Sequence, residues 1–268
     1  YTYSSGLRAP AVIAIVKDVM LYVMVAAAVV VIPMKLGGYA RVFEAANHAL
    51  SLHHPAASIV LQPGQFLGYS TLAIGSAVAL MLYPHTATAV LSAKSANTVR
   101  RNAAMLPAYS FMLGLVALLG YLALAAGVVT KDTSLAVPLL FLKMFPEWFA
   151  GFCLAAVAIG ALVPAAIMSI AASNLFTRNL YGELVGRKMM PHEESRMAKL
   201  VSLCVKFGAL VFVLRLPATY AIEMQLLGGI WIGQMFPAIV IGVFTRWLHP
   251  WALFWGWAAG MASGTWMA

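Results

Sequence analysis

The 268-residue chain is 63% hydrophobic and 9% charged, with a mean hydropathy of +0.89 and a formal net charge of +9. Those values exclude an ordinary soluble domain and set an all-α, polytopic membrane helix bundle as the class. The positive excess forms no basic groove with interleaved aromatics, so no nucleic acid is expected; basic loops on one membrane face account for it.

Span one is expected over roughly Ala9–Pro33 and carries Lys17 and Asp18 inside an otherwise apolar helix. Met34–Gly64 reads as a surface loop with a short, weakly amphipathic helix at Tyr39–Leu52. Span two, Phe66–Ala93, is expected to be interrupted by Gly75 and by Pro84-His85, and a basic turn with Lys94, Arg100 and Arg101 follows. Span three is Ala103–Val128. The loop Val129–Pro146 holds an apolar piece, Leu135–Leu142, assigned to the membrane interface. Span four, Glu147–Tyr181, organises the chain: 30 residues between Glu147 and Arg178 carry no formal charge, more than the ~20 that a membrane crossing needs. Small residues such as Gly160, Ala165 and Ser169 keep it thin for close helix packing, and Pro164 removes a backbone donor in mid-membrane and is read as a helix break. The polar segment Arg178–Arg196 is expected as a loop, then span five at Met197–Leu214, span six at Thr219–Phe244 and span seven from Pro250 to the end. The expectation is one transmembrane domain, residues 1–268, with about seven spans and truncated at both ends.

With the start of span one in the cytoplasm, ten basic residues fall on the inner side and five on the outer, Lys17 and Lys206 lying within spans. That bias sets the orientation and puts the Arg178–Arg196 segment in the cytoplasm.

Few residues are candidates for chemistry. A charge at Lys17, ~12 Å into span one, costs at least ~2.5 kcal/mol unless paired or hydrated. It reads either as a snorkelling lysine beside a compensating aspartate or as an ion or proton site. Neighbours on a helix point ~100° apart, so Lys17 and Asp18 need not pair. Lys206, nine residues from both Arg196 and Arg215, lies near the midplane and must face a partner or an anionic substrate. Pro84-His85 is either a plain kink or a broken helix exposing carbonyls and an imidazole. Ser169, Ser173 and Asn174 are packing groups or ligands, and Glu223 and Gln225 open span six. His48, His53 and His54 lack a metal-ligand spacing, so no metal is expected, and Cys153 and Cys204 read as buried free thiols. No catalytic motif supports an enzyme.

The stretches YTYSSGLRAP at 1–10, YPHTATAVLSAKS at 83–95, VRRNAAMLPAYS at 99–110, IGALVPAAIMSIAASNLFTRNLY at 159–181 and EMQLLGGIWI at 223–232 resemble the sodium:solute symporter family, in its monocarboxylate permease branch. The resemblance implies part of a five-plus-five inverted-repeat (LeuT-like) transporter fold: the last helix of the first repeat, the whole second repeat and one further helix. It implies coupled uptake of small monocarboxylates (pyruvate, lactate, acetate or alanine) across an inner membrane, without cofactor beyond a coupling Na+ or H+. Substrate contacts would fall to His85, Lys206 and Gln225, Gln225 matching a glutamine that touches substrate in sugar-transporting members. Ion or proton coupling would fall to Lys17, Asp18, Ser169 and Ser173. The family's sodium-binding hydroxyl pair maps onto Val163 and Pro164, which carry none, and Ser169 is the nearest replacement. In proton-coupled relatives of this architecture a lysine on the helix matching span one stands where sodium would, and Lys17 fits that role. Alternatives are a transporter-like sensor module of a histidine kinase and a passive channel.

Overall fold

Long apolar runs with internally satisfied backbones become helices, and the computed structural model is helical throughout, without a strand among the described residues. Those residues are 6, 8–53, 57–186, 190–215 and 220–267. His54, Arg187, Lys188, Thr219 and most of the 1–7 stretch lie outside them, as does the side chain of His53. Among the described residues, six helices are long and apolar enough to cross a membrane, including 63–82, 147–184 and 223–244. The expected seventh span is a helix of 18 residues, Pro250–Met267, whose tryptophans and glycines keep its hydropathy below that of the six.

Two compact units result, 1–60 with 94–209, and 61–93 with 210–268. The first is built on α1 (Arg8–Lys35), α2 (Tyr39–His53), α5 (Ala96–Ala125), α6 (Ala136–Met144) and α7 (Glu147–Leu175). Its core joins Val25, Ala28 and Ile32 of α1, Leu119 and Leu122 of α5, Leu140 and Phe141 of α6, and Ala150, Cys153 and Ala156 of α7. Leu140 and Phe141 are fully buried. The piece assigned to the membrane interface is therefore core, because α6 folds its apolar side back onto α7. Small residues on α7 let α1 approach closely, and Leu21 sits 3.8 Å from where a Gly160 β-carbon would be.

α1 ends where Gly37 and Gly38 adopt φ of 87° and 99°, conformations that side-chain-bearing residues rarely take. α2 then lies on α5 through buried Val42 and Ala46 and an edge contact of Phe43 with Tyr121, and is tied back to α1 by the Tyr39 hydroxyl, which donates to the Val29 carbonyl at 2.6 Å. Ser95 caps α5 by accepting from the Thr98 amide, so α5 starts before the expected Ala103 and carries Arg100 and Arg101 on helix. Lys143 closes its other end, donating to the Gly127 carbonyl at 3.0 Å. In the connection to α6, Asp132 accepts from the Ser134 hydroxyl at 2.7 Å and the Ser134 amide at 2.9 Å. These bonds, the hydroxyl first, hold its carboxyl below the ordinary range. The depressed value means that the turn gains from ionised Asp132 above the unfolded pKa and loses that gain as pH falls through the folded one. Carboxyl titration by NMR is expected to give a low Asp132 midpoint that rises in Ser134→Ala.

α7 continues through Pro164 without interruption, correcting the expected break. The buried Val163 and Ala166 on either side and the surrounding helix bonds hold the rod across one missing donor. It passes into a π-helical stretch, Phe176–Tyr181, and then α8 (Gly182–Val185), which ends at Gly186 with φ 65°. α9 (Pro191–Arg215) already begins at Pro191, so the expected 178–196 loop is mostly helix. Both cysteines are free, Cys153 buried but Cys204 exposed, against the expectation that both are buried.

The second unit contains α3 (Phe66–Leu82), α4 (Pro84–Leu91), α10 (Tyr220–Gly233), α11 (Gly242–Phe244) and α12 (Pro250–Met267). Gly75 lies inside unbroken α3, another correction: in lipid a glycine keeps its helix bonds because no water competes for them. The break comes at Tyr83. α10 packs against α3 and α12, tied to the latter by the Trp231 indole donating to the Thr265 hydroxyl at 2.9 Å. A second π-helical turn, Pro237–Ile241, follows α10. No residue of the apolar 223–244 span is buried, a surface that suits lipid or other helices and not water.

Candidate functional site

Three groups of polar side chains interrupt the apolar helices. The first is Lys17 with Asp18: the ammonium lies 2.9 Å from Asp18 Oδ1 and the lysine side chain keeps 12% of its exposure. The two do pair, because an ammonium in an apolar wall takes the nearest carboxylate and the lysine stem is long enough to swing back. Asp18 Oδ1 is buried and takes no hydrogen bond, so charge, without a directed bond, holds the pair. Lys35 donates to the Met144 carbonyl at 2.6 Å and Leu21 faces Gly160, which makes α1 and α7 antiparallel. One turn before Leu21, Lys17 then falls at the level of Val163 and Pro164.

The second group lies on α7 and α9. Ser169 donates to the Ala166 carbonyl at 2.9 Å and Ser173 to that of Ile170 at 2.8 Å, the local back-bonding open to helical serines. Ser202 Oγ donates to Ser169 Oγ at 3.4 Å, and all three serines are buried. Beside them runs a cleft of about 480 Å³, whose lining includes Ser173, Asn174, Lys199, Ser202 and Lys206. Arg178 Nε donates to Glu194 Oε1 within the same lining. Thr177 is fully buried and its hydroxyl has no partner.

The third group sits at the break between α3 and α4. Tyr83 adopts φ −59° and ψ 135°, leaving the helix because the following Pro84 excludes the helical region for its predecessor. Its carbonyl restarts the chain by accepting from the Thr86 and Ala87 amides. The Thr86 hydroxyl takes up the Leu80 carbonyl at 2.9 Å. The Tyr83 and His85 rings lie 5.1 Å apart, and Gln225 Nε2 donates to the Tyr83 hydroxyl at 3.2 Å. His85 and Gln225 therefore meet through Tyr83, whereas Lys206 belongs with Ser173 in the cleft and Lys17 with Asp18.

Tyr83, Lys199, Ser202, Thr177 and the Arg178–Glu194 pair are absent from the expected site. Two carried a signal: Tyr83 directly precedes a proline, and Ser202 stands four residues before Lys206, on the same helix face.

A family model described as "Sodium:solute symporter family" matches residues 1–260. The chain is 50% identical over 267 residues to a "Monocarboxylate transport permease protein" of Rhizobium johnstonii, covering all of this chain and 54% of that protein. Two Bacillus subtilis proteins are also similar. The "Uncharacterized symporter YodF" is 33% identical over 92% of this chain and 49% of its own length, and the "Uncharacterized symporter YhjB" 28% identical over 91% and 49%. The chain thus spans about half the length of the curated relatives it matches. No solved structure matches it. With apolar helices fit to cross a bilayer and a family match over nearly its whole length, this multi-pass membrane chain belongs to the sodium:solute symporter family.

Proposed function

We propose that the chain is part of a secondary active transporter, within a five-plus-five inverted-repeat fold, that takes small monocarboxylates such as pyruvate, lactate, acetate or alanine across the inner membrane. The observation that carries the reading is the Gln225–Tyr83 bond at a broken helix, with the His85 ring alongside. A carboxylate is met there by an amide donor, a phenol hydroxyl, an imidazole and the positive N-terminal end of α4. The name of the Rhizobium relative supports the substrate class. Coupling falls to the Lys17–Asp18 pair, with Ser169 and Ser173 on the facing helix. A proton suits it better than sodium, since Lys17 lies level with Val163 and Pro164, neither of which offers a hydroxyl.

Uptake of labelled pyruvate by the full-length protein in proteoliposomes tests this. Gln225→Ala is expected to raise the half-saturation concentration about tenfold, the effect of one lost charge-assisted hydrogen bond. Tyr83→Phe is expected to do the same with a smaller effect. Absence of saturable, gradient-driven pyruvate uptake by the unmodified protein would discard the reading.

A further inference from the structure

In the second unit, the hairpin of α10 and α12 is closed at one end and open at the other. At the closed end a β-carbon on Gly264 would meet Ile230, and one on Gly260 would meet Gln234. Towards the connection the helices part around a cleft of about 550 Å³, whose walls include Met235, Pro237 and Ala238 on one side and Leu253, Phe254 and Trp257 on the other. Pro237 opens the π-helical turn Pro237–Ile241, which bulges this wall out of the line of α10. The volume falls within the ~300–1,000 Å³ of small-ligand sites. None of the described residues lining it is charged, and Gln234, its one side-chain amide, already donates to the Ile230 carbonyl at 3.3 Å. A free carboxylate or phosphate would lose its hydration there and gain no partner. The cleft suits a hydrocarbon chain.

The connection at its open end is of a different chemistry. Arg246 is the single formal charge between residues 224 and 268. It is exposed, and among the described residues it pairs with no carboxylate. Met235 lies eleven residues before it, roughly 16 Å at a helical rise and close to half of a ~30 Å hydrocarbon core. Trp247, Trp251 and Trp255 are largely exposed, as in the aromatic belts that sit at headgroup level. His249 Nδ1 accepts from the Trp251 amide at 3.3 Å, which places the ring proton on Nε2 as a further donor. A ligand matched to both parts is an amphiphile one leaflet deep, with a negative head and an apolar tail.

We propose that this cleft holds one acyl chain of an anionic phospholipid, in the leaflet on the side that the charge bias assigns to the cytoplasm, with the lipid phosphate at Arg246 and His249. A guanidinium forks onto phosphate oxygens. A zwitterionic lipid offers the same phosphate but brings an ammonium that repels Arg246, so net headgroup charge separates the two. The site shares no residue with the Tyr83–Gln225 group and does not depend on what the protein transports.

Photocrosslinking of the full-length protein in nanodiscs tests the site. Phosphatidylglycerol or phosphatidylcholine, each with a diazirine midway along one acyl chain, is doped into unlabelled phosphatidylcholine, and adducts are mapped by peptide mass spectrometry. The share of adducts on Met235–Ala238 and Leu253–Trp257 is expected to be about fivefold higher with phosphatidylglycerol, the effect of one cation near an anionic headgroup. Arg246→Gln should bring the two lipids to parity and Arg246→Lys should keep most of the preference. Ala238→Trp, which fills the cleft, should remove adducts there with both lipids. Both arginine variants alter an exposed side chain, so the test stands even where the tryptophan variant fails to fold. Absence of adducts in the cleft, the result expected if another part of the protein covers it, would overturn the proposal. Equal labelling by the two lipids, or a preference indifferent to Arg246→Gln, would overturn it as well.

Discussion

Asp18→Ala in the full-length protein is expected to lower stability in detergent or bilayer by about 2.5–3.5 kcal/mol, the cost of an uncompensated charge within a span. The side chain at issue is Lys17, which the native protein holds 2.9 Å from Asp18 Oδ1 with little exposure. Lys17→Ala/Asp18→Ala should recover most of that loss, because no charge then remains to be neutralised. A double-mutant cycle on thermal midpoints measures the coupling, and a double variant no more stable than Asp18→Ala would show that the pair is not a unit. Function should separate from stability. If the proposed coupling role holds, the double variant should fold yet lose proton-driven uptake, and Lys17→Ala alone should abolish it too. Unchanged proton-driven uptake in Lys17→Ala would remove the lysine from the coupling machinery.

The next largest effect is expected where α10 meets α12. A β-carbon at Gly264 would stand 2.6 Å from Ile230 Cγ2, and one at Gly260 2.0 Å from Gln234 Oε1. These glycines, one turn apart, form the small-residue seam that lets membrane helices touch. Ile230 is branched and stiff, whereas Gln234 is a flexible chain that can turn aside. Gly264→Ala should therefore cost more than Gly260→Ala, about 1–3 kcal/mol for the overpacked site, and loosen the Trp231–Thr265 bond. Gly160→Ala is the control, since its added carbon meets Leu21 at an ordinary 3.8 Å. Thermal unfolding followed by Trp231 fluorescence decides the order, and equal midpoints for Gly264→Ala and Gly160→Ala would contradict this packing.

The helices were legible because an uncharged run of span four's length has few other fates. Their ends were not, because capping and turn chemistry decide them: Ser95 extends α5 through two arginines, and Pro191 starts α9 inside an apparent loop. Lys17, Asp18 and Lys206 stood out as charges in apolar surroundings. Tyr83 and Ser202 did not, since a tyrosine or a serine is unexceptional in a membrane helix. Their importance comes from partners brought close by folding, 142 residues away for Gln225 and 33 for Ser169. Glycine and proline misled in opposite directions. Gly75 and Pro164 are absorbed by continuous helices, while Pro84 breaks its own, because only there does the preceding residue turn to an extended conformation.

Pro164 has one more effect on the α1–α7 seam. Four residues earlier, the oxygen of Gly160 is deprived of its usual donor. It sits where Leu21 of α1 packs, one turn from the level of Lys17. In a medium of low permittivity a carbonyl short of its usual donor attracts a cation more strongly than one that keeps it. The rod thus presents a fixed dipole, independent of protonation, to whatever positive charge occupies that level.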